Sequence, residues 1–259
     1  MSDENRGAIV HLFPCLKDNY GLLLHDPATG ETATIDTPEA GRILSEAAAK
    51  GWKITQVWNT HWHPDHAGGN AEIVAATGAK VVGPKEVERI GAAPDRVLVE
   101  GDTVELGSLK ARVIETPGHT LGHIVFHLPE QKIAFVGDTL FALGCGRLFE
   151  GTAGQMWDSL GKLRALPDDT VVYCAHEYTA SNAAFALSVD GGNADLVAYA
   201  DGVKAKRAKD VPTVPTTMGA EKRANPFLRA DDPKLQAAVG HPGDVVGTFA
   251  EVRERKNKF

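Results

Sequence analysis

The segment Thr60-His61-Trp62-His63-Pro64-Asp65-His66 says more about this protein than any other part of its sequence. It follows an apolar run, Ile54 to Asn59, that is predicted to be a strand, and a loop at a strand end can direct several side chains into one crevice. Because Pro64 disfavours helix at the residue before it, the first two histidines are predicted to be extended and to lie on one side. The aspartate and the last histidine then point elsewhere, which favours two metal positions over one.

Three more predicted strand ends carry side chains of the same kind. The strands are Lys110 to Glu115, Lys132 to Val136 and Val171 to Cys174, and the polar residues that follow them are His119, Asp138 and His176. Each lies near a Gly or Ala, which permits unusual backbone angles and close approach to a bound ion. Strand ends in one sheet system can converge, so these residues are predicted to share one site with the histidine segment.

The number of candidate ligands indicates how many ions they hold. The set contains five imidazoles and two carboxylates: His61, His63, His66, His119, His176, Asp65 and Asp138. One catalytic zinc takes about three protein ligands and a structural zinc about four, so seven ligands predict two ions with one shared carboxylate. A closed structural site is the alternative, but such sites are usually rich in cysteine and no Cys is in this set. Imidazole and carboxylate suit Zn, Fe and Mn alike; we expect Zn.

Composition excludes several other classes of protein. The chain has 259 residues, 43% of them hydrophobic, and a net charge of −7, which predicts a folded protein of one or two domains that does not bind nucleic acid. The three cysteines lack disulfide-like spacing, and neither a signal segment nor an apolar run of about 18 residues is evident. We therefore expect a cytoplasmic location and no membrane partner.

The pattern of elements predicts an α+β fold in two parts. Residues 1–175 alternate β-rich runs with helical stretches, which predicts a metal-binding catalytic domain of sheets covered by helices. Residues 176–259 are predicted to form a helical appendage to it. Within it, the Pro- and Thr-rich stretch from Val211 to Asn225 is predicted to be loop.

Four motifs in this order, THWHPDH, TPGHT, GDTLF and CAHEYT, resemble the metallo-β-lactamase superfamily. Together with FALGCGRLFEGT and the NPFLR of the tail, they resemble the glyoxalase II family within it. The resemblance implies an αββα sandwich followed by a helical substrate-binding domain, residues 176–259. It also implies one ion held by His61, His63 and His119, a second held by Asp65, His66 and His176, and Asp138 between them.

The reaction implied by the resemblance is hydrolysis of the thioester S-D-lactoylglutathione to D-lactate and glutathione, by a metal-bridging hydroxide, in methylglyoxal detoxification. Asp65 and Asp138 would be the catalytic carboxylates. Arg147, Tyr178 and Arg229 would bind the glutathione part, and no obligate protein partner is expected. Phe149 and Asp232 stand where some members have Tyr and Lys, which predicts a weaker hold on glutathione.

Other interpretations of the site stay open at this point. An iron-dependent glutathione persulfide dioxygenase of the same superfamily needs only two His and one carboxylate at one Fe. A nuclease and a non-catalytic metal-binding protein are further alternatives. Asp36, at a predicted strand end, could anchor the histidine segment or merely start a turn, whereas His123 is predicted to support or pack beside the ligands.

Overall fold

A computed structural model describes residues 4–5, 7–91 and 93–259 of the chain. They fall into two compact units. The first comprises the chain up to Glu115 together with Gly122–Gly137, and the second comprises Thr116–Leu121 together with Asp138–Phe259. The division at residues 175 and 176 stays a prediction.

The first unit contains a sheet whose strands follow chain order. They are β1 (Glu4–Asn5), β2 (Ala8–Cys15), β3 (Asn19–His25), β4 (Glu31–Ile35), β5 (Lys53–Trp58), β6 (Lys80–Gly83) and β7 (Arg96–Val97). Pairing is antiparallel from β1 to β4 and parallel from β4 to β7. A parallel pair of strands needs a crossover connection between them. The helical elements between β4 and β7 are α1 (Ala40–Ala49), α2 (Pro64–Ala67), α3 (Asn70–Thr77) and a 3-10 turn at Lys85–Ile90.

The core of this sheet holds the strand that leads into the histidine segment. Ile43 and Ala47 lie on the buried side of α1, and they pack in one cluster with Leu23 and Val57. The carboxyl end of β5 is fully buried at Val57 and Trp58. The core therefore holds the backbone from which the histidine segment begins.

The same unit contains an antiparallel ladder formed by β8 (Thr103–Leu106), β9 (Leu109–Glu115), β10 (Ile124–Leu128) and β11 (Ile133–Gly137). Every residue of β11 is buried. This strand ends immediately before Asp138.

The second unit is mainly helical. Its strands are β12 (Leu140–Phe141), β13 (Gly144–Cys145), β14 (Val171–Cys174) and β15 (Thr216–Thr217). Its helices are α4 (Ala153–Arg164), α5 (Thr179–Asp190), α6 (Ala194–Arg207), α7 (Met218–Ala224), α8 (Pro233–Val239) and α9 (Val245–Lys258), with a 3-10 turn at Pro226–Leu228. Of the helices in the described ranges, none is both long enough and apolar enough to cross a membrane.

The prediction of loop from Val211 to Asn225 was wrong for its second half. Thr216 and Thr217 pair with β14, and helix α7 follows directly. The Thr217 side chain caps this helix by accepting a hydrogen bond from the Ala220 N–H, and Glu221 in its first turn is fully buried. Capping and tertiary burial thus override the weak local helix signal of the sequence.

Candidate metal centre

The histidine segment has the backbone that Pro64 imposes. His63 is extended (φ −56°, ψ 148°), and Pro64 is the first residue of the short helix α2. The His63 carbonyl accepts hydrogen bonds from the His66 and Ala67 amides, both at 2.9 Å. The start of α2 at Pro64 explains the predicted change of direction between the first pair of candidate ligands, His61 and His63, and the second pair, Asp65 and His66.

Asp36 anchors the histidine segment, so the interpretation that it merely starts a turn is wrong. Its carboxylate accepts hydrogen bonds from the Thr60 amide, the Thr60 hydroxyl and His66 Nδ1, each at 2.8 Å. Asp36 has a left-handed backbone (φ 58°), a conformation that Asp adopts more readily than most residues. Because Nδ1 of His66 donates to Asp36, the other ring nitrogen, Nε2, is available as a ligand.

The histidines of this segment, His61, His63 and His66, lie close together and near Asp36. Asp36, His61 and His66 each offer one ligand atom within 4.8 Å of the others. His61 Nε2 lies 3.0 Å from His63 Nδ1. His123 is fully buried and stacks on His61 with ring centroids 4.8 Å apart, so it packs beside this candidate ligand.

Asp65 is held beside His66. Its Oδ2 lies 3.5 Å from His66 Nε2 and accepts a 3.0 Å hydrogen bond from the Asn19 amide group. Asn19 is buried, whereas the Asp65 side chain is partly exposed. One carboxylate oxygen is therefore fixed by the fold while the residue keeps access to solvent.

In the second unit, Asp138 faces two imidazoles with different oxygens. Its Oδ2 lies 3.5 Å from His119 Nε2 and its Oδ1 lies 3.3 Å from His176 Nε2. His119 Nδ1 donates to the Arg147 carbonyl at 2.9 Å, which directs Nε2 toward Asp138. All three side chains are buried. Asp138 has the geometry of a carboxylate shared between two ligand sets.

The donor set fits divalent metal ions. Two ligands about 2.1 Å from one tetrahedral ion lie about 3.4 Å apart. The Nε2-to-oxygen separations at His66, His119 and His176 are 3.5, 3.5 and 3.3 Å. These distances exceed a good hydrogen bond and match two ligands of one ion. Imidazole nitrogen with carboxylate oxygen suits Zn, Fe or Mn and carries no soft thiolate.

A cavity of about 580 Å³ in the second unit adjoins these ligands. Its lining includes His119 and Asp138 and also three cationic side chains, Arg147, Arg253 and Lys256. Phe149 and Tyr178 line it as well, and Tyr178 stacks on His176 with centroids 4.6 Å apart. The cavity wall therefore carries both candidate metal ligands and cationic side chains.

Comparison with known proteins decides the family. The family model for the metallo-beta-lactamase superfamily matches residues 17–176, and the model for the hydroxyacylglutathione hydrolase C-terminus matches residues 177–259. Proteins named hydroxyacylglutathione hydrolase from Erythrobacter litoralis and Maricaulis maris are 59% and 58% identical, over 96% and 97% of this chain and 99% and 98% of their own. The chain belongs to the hydroxyacylglutathione hydrolase family. A solved structure, ETHE1 from Myxococcus xanthus, covers 96% of this chain and 91% of its own, with 28% identity and a TM-score of 0.68.

Membership of the hydroxyacylglutathione hydrolase family confirms the predicted fold class, an αββα metallo-β-lactamase sandwich with a C-terminal helical region. It also makes the chain a thioester hydrolase that binds divalent metal. The metal ligands and the residues that bind substrate stay predictions for this member of the family.

Two of the cations that line the cavity, Arg253 and Lys256, were not singled out from the sequence. Both lie on α9, three residues apart, so they share one helix face. The other charges of this helix pair among themselves, Arg255 with Glu251 and Lys258 with Glu254. A comparison of paired with unpaired charges along this helix could have singled out the two cavity residues.

Arg229, predicted to bind glutathione, lies in a different environment. Its guanidinium forms ion pairs with Asp190 and Asp232, and all three side chains are largely buried. It is not among the residues that line the cavity in the described second unit. Asp232, which departs from the expected family pattern, is thus a partner of this arginine.

We expect Arg229→Met to lower stability without changing recognition of substrate. The change leaves two carboxylates side by side with no cation between them, which costs about 1–3 kcal/mol. Urea unfolding measures this loss, and KM for S-D-lactoylglutathione should stay within about twofold of the wild type. A raised KM with unchanged stability would instead support direct binding of the ligand by Arg229.

Proposed function

We propose that this chain hydrolyses S-D-lactoylglutathione to D-lactate and glutathione with two divalent ions, zinc in preference to iron or manganese. The observation that carries the proposal is Asp138, whose two oxygens face different imidazoles on the wall of a cavity that also holds three cations. Hydrolytic chemistry and carboxylate recognition then share one pocket.

The assignment of ligands follows the two sets described above. His61, His63 and His119 would hold one ion, Asp65, His66 and His176 the other, and Asp138 both. Bound divalent ions lower the pKa of water toward neutrality and draw electrons from a thioester carbonyl. Glutathione would leave as the thiolate, whose conjugate thiol has a pKa of about 8.5, so no separate general acid is required.

The chain's own residues would orient the substrate. Arg147, Arg253 and Lys256 would bind the carboxylates of the glutathione part, and the Tyr178 hydroxyl would bind its backbone. The exposed ring of Phe149, which lies edge-on to His119, offers only apolar contact there. Asp65, fixed by Asn19, would accept a hydrogen bond from the attacking water and so orient it.

A thioesterase assay with S-D-lactoylglutathione, run on protein whose metal content is measured in the same sample, tests the proposal. We expect release of free thiol and D-lactate in proportion to bound metal. Metal-replete protein that leaves this thioester intact would refute it. Oxygen uptake with glutathione persulfide would indicate the dioxygenase instead, which the hydrolase names of the relatives do not favour.

Lys256 should make substrate affinity depend on pH. Burial, together with the nearby Arg253 and Arg147, lowers the pKa of Lys256 to about 8. Its ammonium is therefore charged below pH 8 and neutral above it, and only the charged form attracts a carboxylate. We expect KM to be constant up to about pH 7.5 and to rise several-fold by pH 9.5, measured by initial rates across this range.

Lys256→Arg is the matched test of this pH dependence, because guanidinium stays charged throughout the range. In this variant KM should remain flat between pH 7.5 and 9.5. An equally steep rise of KM in the arginine variant would mean that another group titrates.

The remaining predictions concern location and partners. We propose that the protein acts in the cytoplasm on a small glutathione thioester and needs neither nucleic acid, nor membrane, nor a second protein. The net charge of −7 supports the absence of nucleic acid, because an acidic chain repels phosphate backbones.

A further inference from the structure

A buried hairpin connects two parts of the cavity wall. Strands β12 and β13 are joined by Ala142 and Leu143, and every residue of this hairpin is buried. Leu143 has a left-handed backbone (φ 57°), which a leucine adopts only when its surroundings impose it. The polar groups of such a backbone cannot reach water and need partners within the protein.

Side chains of the helical elements supply those partners. The carbonyls of Phe141 and Gly144 accept from the Asn225 amide group at 3.2 and 3.0 Å, and that of Ala142 accepts from Asn182 at 3.1 Å. The Leu143 N–H donates to Glu221 Oε2 at 2.9 Å. Arg253 donates to the Cys145 carbonyl at 2.8 Å.

Glu221 is the centre of this network. Its carboxyl group is fully buried, and burial raises its pKa. Besides the Leu143 amide, it accepts hydrogen bonds from the Asn225 amide group and from the hydroxyls of Thr216 and Tyr199, at 2.8 to 2.9 Å. None of these donors is a cation, so the carboxyl serves as a multiple acceptor rather than as half of an ion pair.

The two ends of the hairpin carry the groups that face the metal ligands. Asp138 lies two residues before β12, and Arg147 lies two residues after β13. The Arg147 carbonyl accepts from His119 Nδ1 and thereby selects the tautomer that presents Nε2 to Asp138. The backbone at Gly146 also packs closely against that of Asp138, because a Cβ on Gly146 would lie 2.0 Å from the Asp138 carbonyl oxygen. A shift of the hairpin would therefore move His119 and Asp138 relative to each other.

We infer that Glu221 and Asn225 are positioning residues for His119 and Asp138, acting through the hairpin. The inference rests on the proposed function, which makes those two residues metal ligands. Neither Glu221 nor Asn225 is among the residues that line the cavity of the described second unit; they hold the backbone that fixes the Asp138 carboxylate opposite the His119 ring.

The test uses two variants, Glu221→Gln and Asn225→Ala. Glutamine keeps the shape of the Glu221 side chain but replaces one acceptor oxygen with a donor N–H₂. Gln236→Ala is the matched control, because Gln236 is another buried amide of the second unit that bonds only backbone groups away from the hairpin, at Ala230 and Gly243. For each folded variant, Zn²⁺ affinity is measured by competition with a chelating dye, and exchange of the Leu143 amide is measured by NMR.

We expect Glu221→Gln and Asn225→Ala to weaken Zn²⁺ binding about 10- to 100-fold, with faster exchange at Leu143. Gln236→Ala should lower stability but leave both quantities unchanged. Wild-type Zn²⁺ affinity in Glu221→Gln would overturn the inference even if Asn225→Ala failed to fold. A loss of Zn²⁺ affinity in Gln236→Ala as large as that in Glu221→Gln would overturn it as well. These readouts need no turnover, so absence of thioesterase activity in the wild type would count against the proposed function alone.

Discussion

Asp138→Asn is expected to reduce turnover of S-D-lactoylglutathione by about 1000-fold or more. The carboxylate faces His119 Nε2 with one oxygen and His176 Nε2 with the other, at 3.5 and 3.3 Å. Asparagine keeps one of the two acceptors and presents an N–H to the other imidazole, so it cannot serve both sets of ligands. The charge that balances two cations is lost at the same time.

Steady-state kinetics and elemental analysis of the same protein measure this effect. The metal content of Asp138→Asn should fall below two ions per chain, and added metal should not restore turnover. Asp201→Asn, an exposed change on α6, is the control and should behave as wild type. Near-normal turnover of Asp138→Asn with its metal intact would contradict a shared carboxylate.

Asp36→Asn is expected to weaken metal binding about 10- to 100-fold. Asn tolerates the left-handed backbone of this position, so the change tests the carboxylate and not the turn. The Asn N–H₂ must face either the Thr60 amide, which bonds Oδ1, or the Thr60 hydroxyl and His66 Nδ1, which both bond Oδ2. In either orientation a buried donor loses its partner, at a cost of about 1–3 kcal/mol, and His66 loses the carboxylate charge that makes its ring a stronger ligand.

Asp26→Asn is the matched control for this change. Asp26 is also fully buried in the first unit and accepts hydrogen bonds from the Ser108 and Ala28 amides and from the Thr29 hydroxyl. Its replacement should lower stability in urea by a similar amount and leave metal affinity unchanged. If Asp36→Asn binds metal as tightly as Asp26→Asn does, the anchoring of His66 has no bearing on the metal.

Local chemistry explains why the histidine segment could be interpreted from the sequence. Pro64 restricts its neighbour by steric clash, which needs no tertiary information, and His63 is extended as expected. Asp36 and His123 were harder, because a polar residue at a strand end has several local uses. Only the fold shows that Asp36 reaches Thr60 and His66 and that His123 stacks on His61.

The features that the sequence did not reveal depend on contacts between remote residues. Arg253 and Lys256 differ in the sequence from the other charges of α9 only by lacking an i,i+4 partner of opposite charge, and only the fold places them in the cavity wall. Glu221 looks like a surface residue of a Pro- and Thr-rich loop, yet it is buried under a hairpin some 78 positions earlier in the chain. Burial of a lone carboxyl opposes the usual preference of Glu, and only four well-placed donors make it tolerable.

Titration of metal-free protein with Zn²⁺, while the hydrolysis of S-D-lactoylglutathione is followed, tests the central claim most directly. The dinuclear centre predicts a chelator-stripped chain without activity, and turnover that rises until two ions are bound per chain. Full turnover in stripped protein, or a plateau at one ion per chain, would contradict it.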